Sequence, residues 1–456
     1  MDRAGFQVQL MFPFRRQRSS FDHGIHPPEA KDDTRELPIK QFPFAPVMII
    51  PLLQHMGKPA LPLVREGQEV ARGQRIAEPD GFMSVAMHAP ASGVVQRLGL
   101  APSISGKMVP AIYLKPFPGS SQEVANGEPC DLDLATPDNI ISAIQQAGIV
   151  GLGGAAFPTH VKLKIPADKR IDTLIINGVE CEPYLTTDHR VMLEQQPDIF
   201  SGIRYLMKVT GAQRTIVGIE SNKLDVADSL RAQLPADQPI TVEVAEVKYP
   251  QGAEKMLITA LLKREVPSGG LPSDVNVVVV NVATTAEIGR LLPTGRGIQE
   301  RVITIGGPAV RKKGNYRIPI GTPLRFALEY AGLEDDVSRV FLGGPMMGQA
   351  LPSLDIPITK GTSGFIAFSQ AETAAPAQEY PCIHCGYCLD ACPLFLNPSQ
   401  LGLLAKNGRY DDMVQDYNLM DCFECGSCSY VCPAHIPLVQ RFRGAKTMIR
   451  KQKAAS

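Results

Sequence analysis

The apolar positions of this chain come in short bursts separated by glycine and proline, a pattern of many small elements. From Pro137 to Gly148 they recur at helical spacing. Thr136 is the expected N-cap, Pro137 opens the first turn and Gly148 stops the helix. Ile171 to Gly178 and Val275 to Asn281 are near-continuous apolar runs, read as buried strands. Leu63 to Ile76 reads as short strand, turn, short strand. Arg301–Ile305, Asn315–Ile318, a helix from Pro323 to Tyr330 and Val340–Leu342 read as a small β-grasp. Ser399 to Lys406 and Asp411 to Tyr417 read as short helices. The longest apolar runs, Val47–Ile50 and Val277–Val280, fall far short of the ~20 residues a membrane helix needs.

Composition narrows the class. The 456 residues imply several domains. With 44% hydrophobic and 20% charged residues the chain is globular. Lys+Arg and Asp+Glu balance at 46 each, so nothing points to a nucleic-acid partner. The N-terminus shows no apolar signal region or small-residue cleavage site, so a cytosolic chain is expected.

Cysteine changes the picture. Eight of ten lie between Cys382 and Cys432, as Cys382-Ile-His-Cys385-Gly-Tyr-Cys388-Leu-Asp-Ala-Cys392-Pro393 and Cys422-Phe-Glu-Cys425-Gly-Ser-Cys428-Ser-Tyr-Val-Cys432-Pro433. Both fit C-x2-C-x2-C-x3-C-P, the bacterial two-cluster ferredoxin run, in which the fourth cysteine ligates the other cluster. The pattern assigns Cys382, Cys385, Cys388 and Cys432 to one [4Fe–4S] centre, and Cys422, Cys425, Cys428 and Cys392 to the second. Structural zinc is the alternative; it favours paired C-x2-C units without a third cysteine or a trailing Cys-Pro. The long stretch between the runs favours a helical ferredoxin domain. Cys130 and Cys181 are expected to be buried free thiols. His23 and His26, with no acid or thiol pair nearby, read as structural.

A second motif follows the first helix: Gly151-Leu-Gly153-Gly154-Ala-Ala-Phe157-Pro-Thr-His160-Val-Lys162. Glycines at this density let backbone N–H groups converge on a phosphate, and Lys162 adds a cation; a turn-rich loop is the alternative. The strand ending at Gly178 delivers Asn177, Glu180 and Glu182, which suit a ribose or the edge of a flavin ring.

These stretches resemble the NADH-oxidising flavoprotein subunit of respiratory complex I, in its GRGGAGFPTGLKW, NADExEPG, YICGEE and VNNVET segments; the last two are matched by Tyr249-Pro-Gln-Gly-Ala-Glu254 and Val279 to Thr284. The resemblance implies that Gly151, Gly153, Gly154, Lys162, Asn177 and Asn281 bind a non-covalent FMN, with Glu180 kept as a cofactor-binding candidate from its place at the strand end. Phe157 and Glu182 would meet the nicotinamide nucleotide. Val179, His160 and Gln251 depart from the family residues. No catalytic acid or base is singled out.

With the doubled cysteine run, and Gly343-Gly-Pro-Met-Met-Gly348, nearly the whole chain resembles the family of the C component of Rnf electron transport complexes. That implies a multidomain α/β and α+β protein. An N-terminal arm would span 1–36 and a barrel-sandwich domain 37–118, like lipoyl carriers but with no lysine in its tip Pro79–Ser84. A Rossmann-like flavin/NADH domain would span 119–296, a β-grasp domain 297–370, and a helical two-cluster ferredoxin domain with a basic tail 371–456. The implied function is the peripheral electron-input subunit of an ion-translocating complex on the cytoplasmic face of the inner membrane. Hydride would pass from NADH to FMN, and single electrons to two [4Fe–4S] clusters. Its partners would be the other Rnf subunits, one ferredoxin-like, with ferredoxin or flavodoxin as distal acceptor. A non-catalytic electron wire and a soluble NADH-dependent reductase of another acceptor are the rival readings. From Ile436 onward there are six basic residues and no acid, expected to be a solvated tail or a contact for anionic lipid or an acidic partner.

Overall fold

The computed structural model describes residues 19–104, 106–373 and 378–455. The first half of the expected arm, 1–18, lies outside the described residues. No helix among those described is long and apolar enough to cross a membrane.

The central domain is a four-stranded parallel sheet in the order Ile240–Ala245, Arg214–Glu220, Thr173–Gly178, Val277–Asn281. The strands Thr173–Gly178 and Val277–Asn281 are almost wholly buried, which is why they read as near-continuous apolar runs. Two helices, Gln196–Thr210 and Val282–Leu291, cross closely against it. A Cβ on Gly202 would come within 1.9 Å of the Thr285 carbonyl, and one on Gly289 within 1.9 Å of that of Asp198. The helix Pro137–Gln146 carries the expected cap: Thr136 accepts from the Asn139 amide, and Gly148 ends the turn at φ +72°.

Two small sheets form the barrel sandwich. Its tip is pinned rather than mobile. Gln145 donates to the carbonyls of Gly81 (3.0 Å) and Ser84 (2.9 Å), and His160 Nε2 meets the Phe82 carbonyl at 2.7 Å.

The β-grasp sheet is larger than its sequence signal. Its order is Ile39–Gln41, Gly314–Pro319, Glu300–Gly306, Gly364–Ser369, Val337–Leu342, Gln349–Ala350. Ile39–Gln41, expected with the barrel sandwich, instead pairs parallel to Gly314–Pro319. Three short polar-flanked residues carry no signal of which sheet they will join.

Buried cations join these layers by donating to backbone carbonyls. Lys31 donates to Glu180 (2.7 Å), Glu182 (2.9 Å) and Leu185 (2.5 Å). Lys360 donates to Ala86 (2.7 Å) and Gly148 (2.8 Å), and burial holds its pKa down to about 7. Arg301 donates to the carbonyls of Leu152 and Lys360. The described part of the arm is thus fastened down.

The C-terminal segment is not a solvated tail. Leu438–Ala455 is a helix whose Leu438, Val439, Phe442, Ala445 and Ile449 are buried in the ferredoxin-like module. Apolar residues at helical spacing among the basic ones supplied the packing face. Arg441 pairs with Glu379, and Arg443 and Lys446 pair with Glu424.

Candidate flavin and iron–sulfur sites

In the parallel sheet the chain passes from Thr173–Gly178 outward to one side, then returns to add Val277–Asn281 on the other. The order reverses between those two strands, at the carboxyl ends where open α/β sheets hold ligands. Asn177 and Asn281 stand opposite each other in register on either side of that point. Asn281 caps the helix Val282–Leu291, accepting from the Thr284 amide, and donates to Asp188 at 2.7 Å. Asn177 donates to the Gly252 carbonyl at 2.8 Å and accepts from the Val179 amide.

The glycine loop lies against this point. A Cβ on Gly153 would be 3.4 Å from Asn281 Nδ2, a close backbone approach. The Gly151 amide donates to Phe157, the Ala156 amide to Gly151, and the Leu152 amide to Thr284 Oγ1. Gly153, Gly154 and Ala155 are exposed, and among the described residues their amides meet no acceptor. In the segment Tyr249–Glu254, Gln251 is fully buried with its side-chain amide unpartnered. Free amides on an exposed glycine turn fit a bound phosphorylated ligand such as FMN.

The other expected residues are distributed unequally. Lys162 pairs with Glu254 at 2.7 Å, each about one-third exposed, at the helix that leaves the loop. Phe157 is half-buried. Glu180 accepts from the amides of Asp188 and His189 at the start of the next helix. Glu182 is committed elsewhere: it accepts from the amides of Met346 (3.2 Å) and Met347 (2.6 Å), holding the Gly343–Gly348 loop. Burial raises its pKa. A cavity of about 290 Å³ opens between His26–Lys31 and the ends of the first three strands; it includes Glu180 and Cys181 but no glycine-loop residue.

The departures from the family residues have local reasons. His160 is buried and meets Phe82 of the barrel-sandwich tip. Val179 packs with Ile175, Leu257 and Ile258. Asp188 escaped the sequence reading. Its carboxyl is pushed up by burial and by neighbouring Glu180, against the pull of Arg301 and the Asn281 hydrogen bond. Only its position within Tyr184-Leu-Thr-Thr-Asp188-His hinted at it, and a lone acid after threonines usually reads as a helix start.

In the C-terminal module Cys382, Cys385, Cys388 and Cys432 line one cavity of about 130 Å³. Among the described residues no three metal-binding side chains converge on a single-ion point; the four thiols surround a space instead. Cys422, Cys425, Cys428 and Cys392 form a second neighbourhood. Burial raises Cys422 to about 11, with Cys425 and Cys392 adding to the rise, and raises Cys428 with the same neighbours. Four soft thiols around a pocket suit an iron–sulfur cube.

The two quartets sit differently. Cys382 and Cys385 are exposed, beside exposed Ile383 and Tyr387. The second quartet faces the rest of the protein. Tyr249 donates to the Cys425 carbonyl at 2.7 Å, and His23 Nδ1 meets that of Cys392 at 3.1 Å. Gly426 lies against the Met346 carbonyl. The other lone histidine, His26, meets the Val247 carbonyl through Nδ1 at 3.0 Å. Cys130 and Cys181 are free and half-buried.

Four family models match the chain: RnfC barrel sandwich hybrid domain over 19–116, Nuo51 FMN-binding domain over 144–290, SLBB domain over 302–350 and 4Fe-4S dicluster domain over 381–436. The chain is 41% identical to the C component of the proton-translocating ferredoxin:NAD(+) oxidoreductase complex of Clostridium ljungdahlii, covering 94% of this chain and 93% of that one. It is 40% identical to the Na(+)-translocating counterpart of Acetobacterium woodii, covering 96% and 98%. A solved NAD+-reducing [NiFe]-hydrogenase chain superposes with TM-score 0.49 at 20% identity, over 71% of this chain and 69% of that one.

Proposed function

Because the chain belongs to the RnfC family, the C components of ion-translocating Rnf-type oxidoreductase complexes, we propose that it carries electrons between NADH and the other subunits of such a complex, peripherally on the cytoplasmic face of the inner membrane. Ferredoxin or flavodoxin would be the distal partner. FMN, when bound, links the two-electron chemistry of NADH to the one-electron capacity of iron–sulfur clusters.

The chain's own residues serve that traffic by position. The amides of Gly153 to Ala155 and Lys162 would hold the flavin phosphate, with Gly151 shaping the turn. Asn177 and Asn281 would orient the ring, and Asp188 would fix the Asn281 amide. Phe157 and Glu180 would border the nucleotide. Glu182 would act at one remove, by holding the Met346–Met347 turn between the flavin domain and Gly426. Cys392, Cys422, Cys425 and Cys428 would hold the cluster nearer the flavin. Cys382, Cys385, Cys388 and Cys432 would hold the outer one, from which electrons leave.

The observation that carries this reading is the placement of the second thiol quartet. Tyr249 belongs to a flavin-domain segment whose Gly252 receives Asn177, and the same tyrosine hydrogen-bonds Cys425. The test is anaerobic NADH addition to the cluster-reconstituted chain supplied with FMN. Bleaching of both flavin and cluster absorbance is expected, and Lys162→Ala should lower flavin retention. Cluster-loaded protein that holds no flavin and stays oxidised would leave an electron wire in its place.

A further inference from the structure

The two cysteine runs belong to a longer internal repeat. Residues forty positions apart correspond from Cys382/Cys422 through Lys406/Lys446, without insertion or deletion. The backbone repeats with them: His384 and Glu424 both take positive φ (54° and 64°), as do Gly386 and Gly426 (83° and 84°) and Phe395 and His435 (54° and 53°). The helices that follow begin at equivalent residues, Pro398 and Leu438.

The charges do not repeat. In the second half Lys446, with its side chain only 8% exposed, donates to the Cys422 carbonyl and pairs with Glu424 at 3.2 Å. Arg443 pairs with the same carboxylate at 3.1 Å. These three side chains, two cations and one anion, together carry one net positive charge. The equivalents are His384, Leu403 and Lys406. Lys406 is 64% exposed and reaches Glu379 at 3.8 Å. The sulfurs differ too. The Glu424 amide donates to Cys422 Sγ, and fully buried Ser427 places its hydroxyl 3.4 Å from Cys425 Sγ; Tyr387, its equivalent, is exposed.

A thiolate-held cluster is anionic, and reduction adds a further negative charge. Net charge, hydrogen bonds to sulfur and solvent exposure set its potential. Burial of the second loop works against reduction, because the added charge loses water. A desolvated ammonium beside that loop works for it, and far more strongly than a screened surface lysine. We propose that Lys446, held by Glu424, is a potential-setting residue: it raises the reduction potential of the cluster of Cys392, Cys422, Cys425 and Cys428, offsetting that cluster's burial, while Lys406 leaves the outer cluster unaffected. This rests on the two-cluster reading above.

The test is a redox titration of the intact cluster-loaded protein followed by paramagnetic resonance, with the two signals told apart by Cys425→Ala, whose cluster is the same whether or not the fourth cysteines cross. Lys446→Met should shift the midpoint of the second cluster to more negative potential and leave the other in place. Lys446→Arg should stay near the parent, and Lys406→Met should move neither. Both signals intact with unmoved midpoints in Lys446→Met, or equal shifts of both clusters, would overturn the proposal. Should Lys446→Met lose its cluster, Lys446→Gln, which removes the charge and keeps a polar donor, decides: the same midpoint must shift negative, and an unmoved or more positive midpoint overturns the proposal. A parent protein without cluster signals would sink the two-cluster reading, and this inference with it.

Discussion

The two cysteine loops share spacing and backbone turns but not surroundings. Cys422 to Cys432 lie under Tyr249, the Met346 turn and the Leu438–Ala455 helix. Cys382 and Cys385 stand at the surface among exposed Ile383 and Tyr387. A local motif therefore specifies a ligand set and is silent about which set faces inward. That choice comes from the chain that follows each motif. Pro398–Lys406 stops after nine residues and Leu438–Ala455 continues for eighteen; within the nine they share, Arg443 and Lys446 return over their own loop to Glu424, whereas the equivalent positions hold Leu403 and an exposed Lys406.

The largest effect that would break this contrast is on ligation itself. Cys392→Ala should abolish the signal of the inner cluster and Cys432→Ala that of the outer, although each residue belongs to the other loop. Loss in each variant of the signal from its own loop would mean that ligation does not cross between the loops. Glu182→Ala comes next. It strands the amides of Met346 and Met347, at a cost of about 1–3 kcal/mol in a denaturant titration. NADH reduction of the inner cluster should slow while flavin content stays constant. Flavin release without a change in stability would show instead that the carboxylate contacts the flavin.

Tyr249→Phe removes one hydrogen bond from the inner loop alone. A loss of about 1 kcal/mol is expected, with both signals retained; a matching perturbation of the outer cluster would erase the distinction between the loops. On the clusters Lys360 gives the smallest effect, and it serves as a control, since it lies between the barrel sandwich and the flavin domain. Burial lowers its pKa from 10.5 to about 7. Between those values the unfolded chain binds the extra proton, so stability should rise with pH across that window, by at most about 1.4 kcal/mol per pH unit from this residue. Lys360→Met should flatten the rise and leave both cluster signals unchanged. A slope that survives the substitution assigns it to another group.

Much of this organisation was legible along the chain, for reasons that are local. Spacing defines a C-x2-C-x2-C-x3-C-P run without reference to distant residues. The Thr136 cap, the Gly148 stop and the apolar run into Asn177 depend on backbone conformation and burial period. The glycine loop and its asparagines could be named because strand ends and tight turns demand particular residue types. The Leu438–Ala455 helix was read only by its charge, although its apolar residues already carried helical spacing.

What the sequence determined by itself was chemistry tied to short spacing: eight thiols in two runs, a glycine turn before a cation, asparagines at strand ends. The tertiary structure alone decided which partners those groups have. Lys31, Arg301 and Lys360 became buried donors to carbonyls in distant segments; Glu182 was drawn to Met346 and Met347; Asp188 was brought to Asn281; Ile39–Gln41 joined a sheet whose neighbouring strand lies at Gly314–Pro319. The physical reason is that hydrogen bonding and desolvation act through space. A charged side chain carries the same signal in sequence whether it ends in water or under another domain, and only the packed chain distinguishes the two.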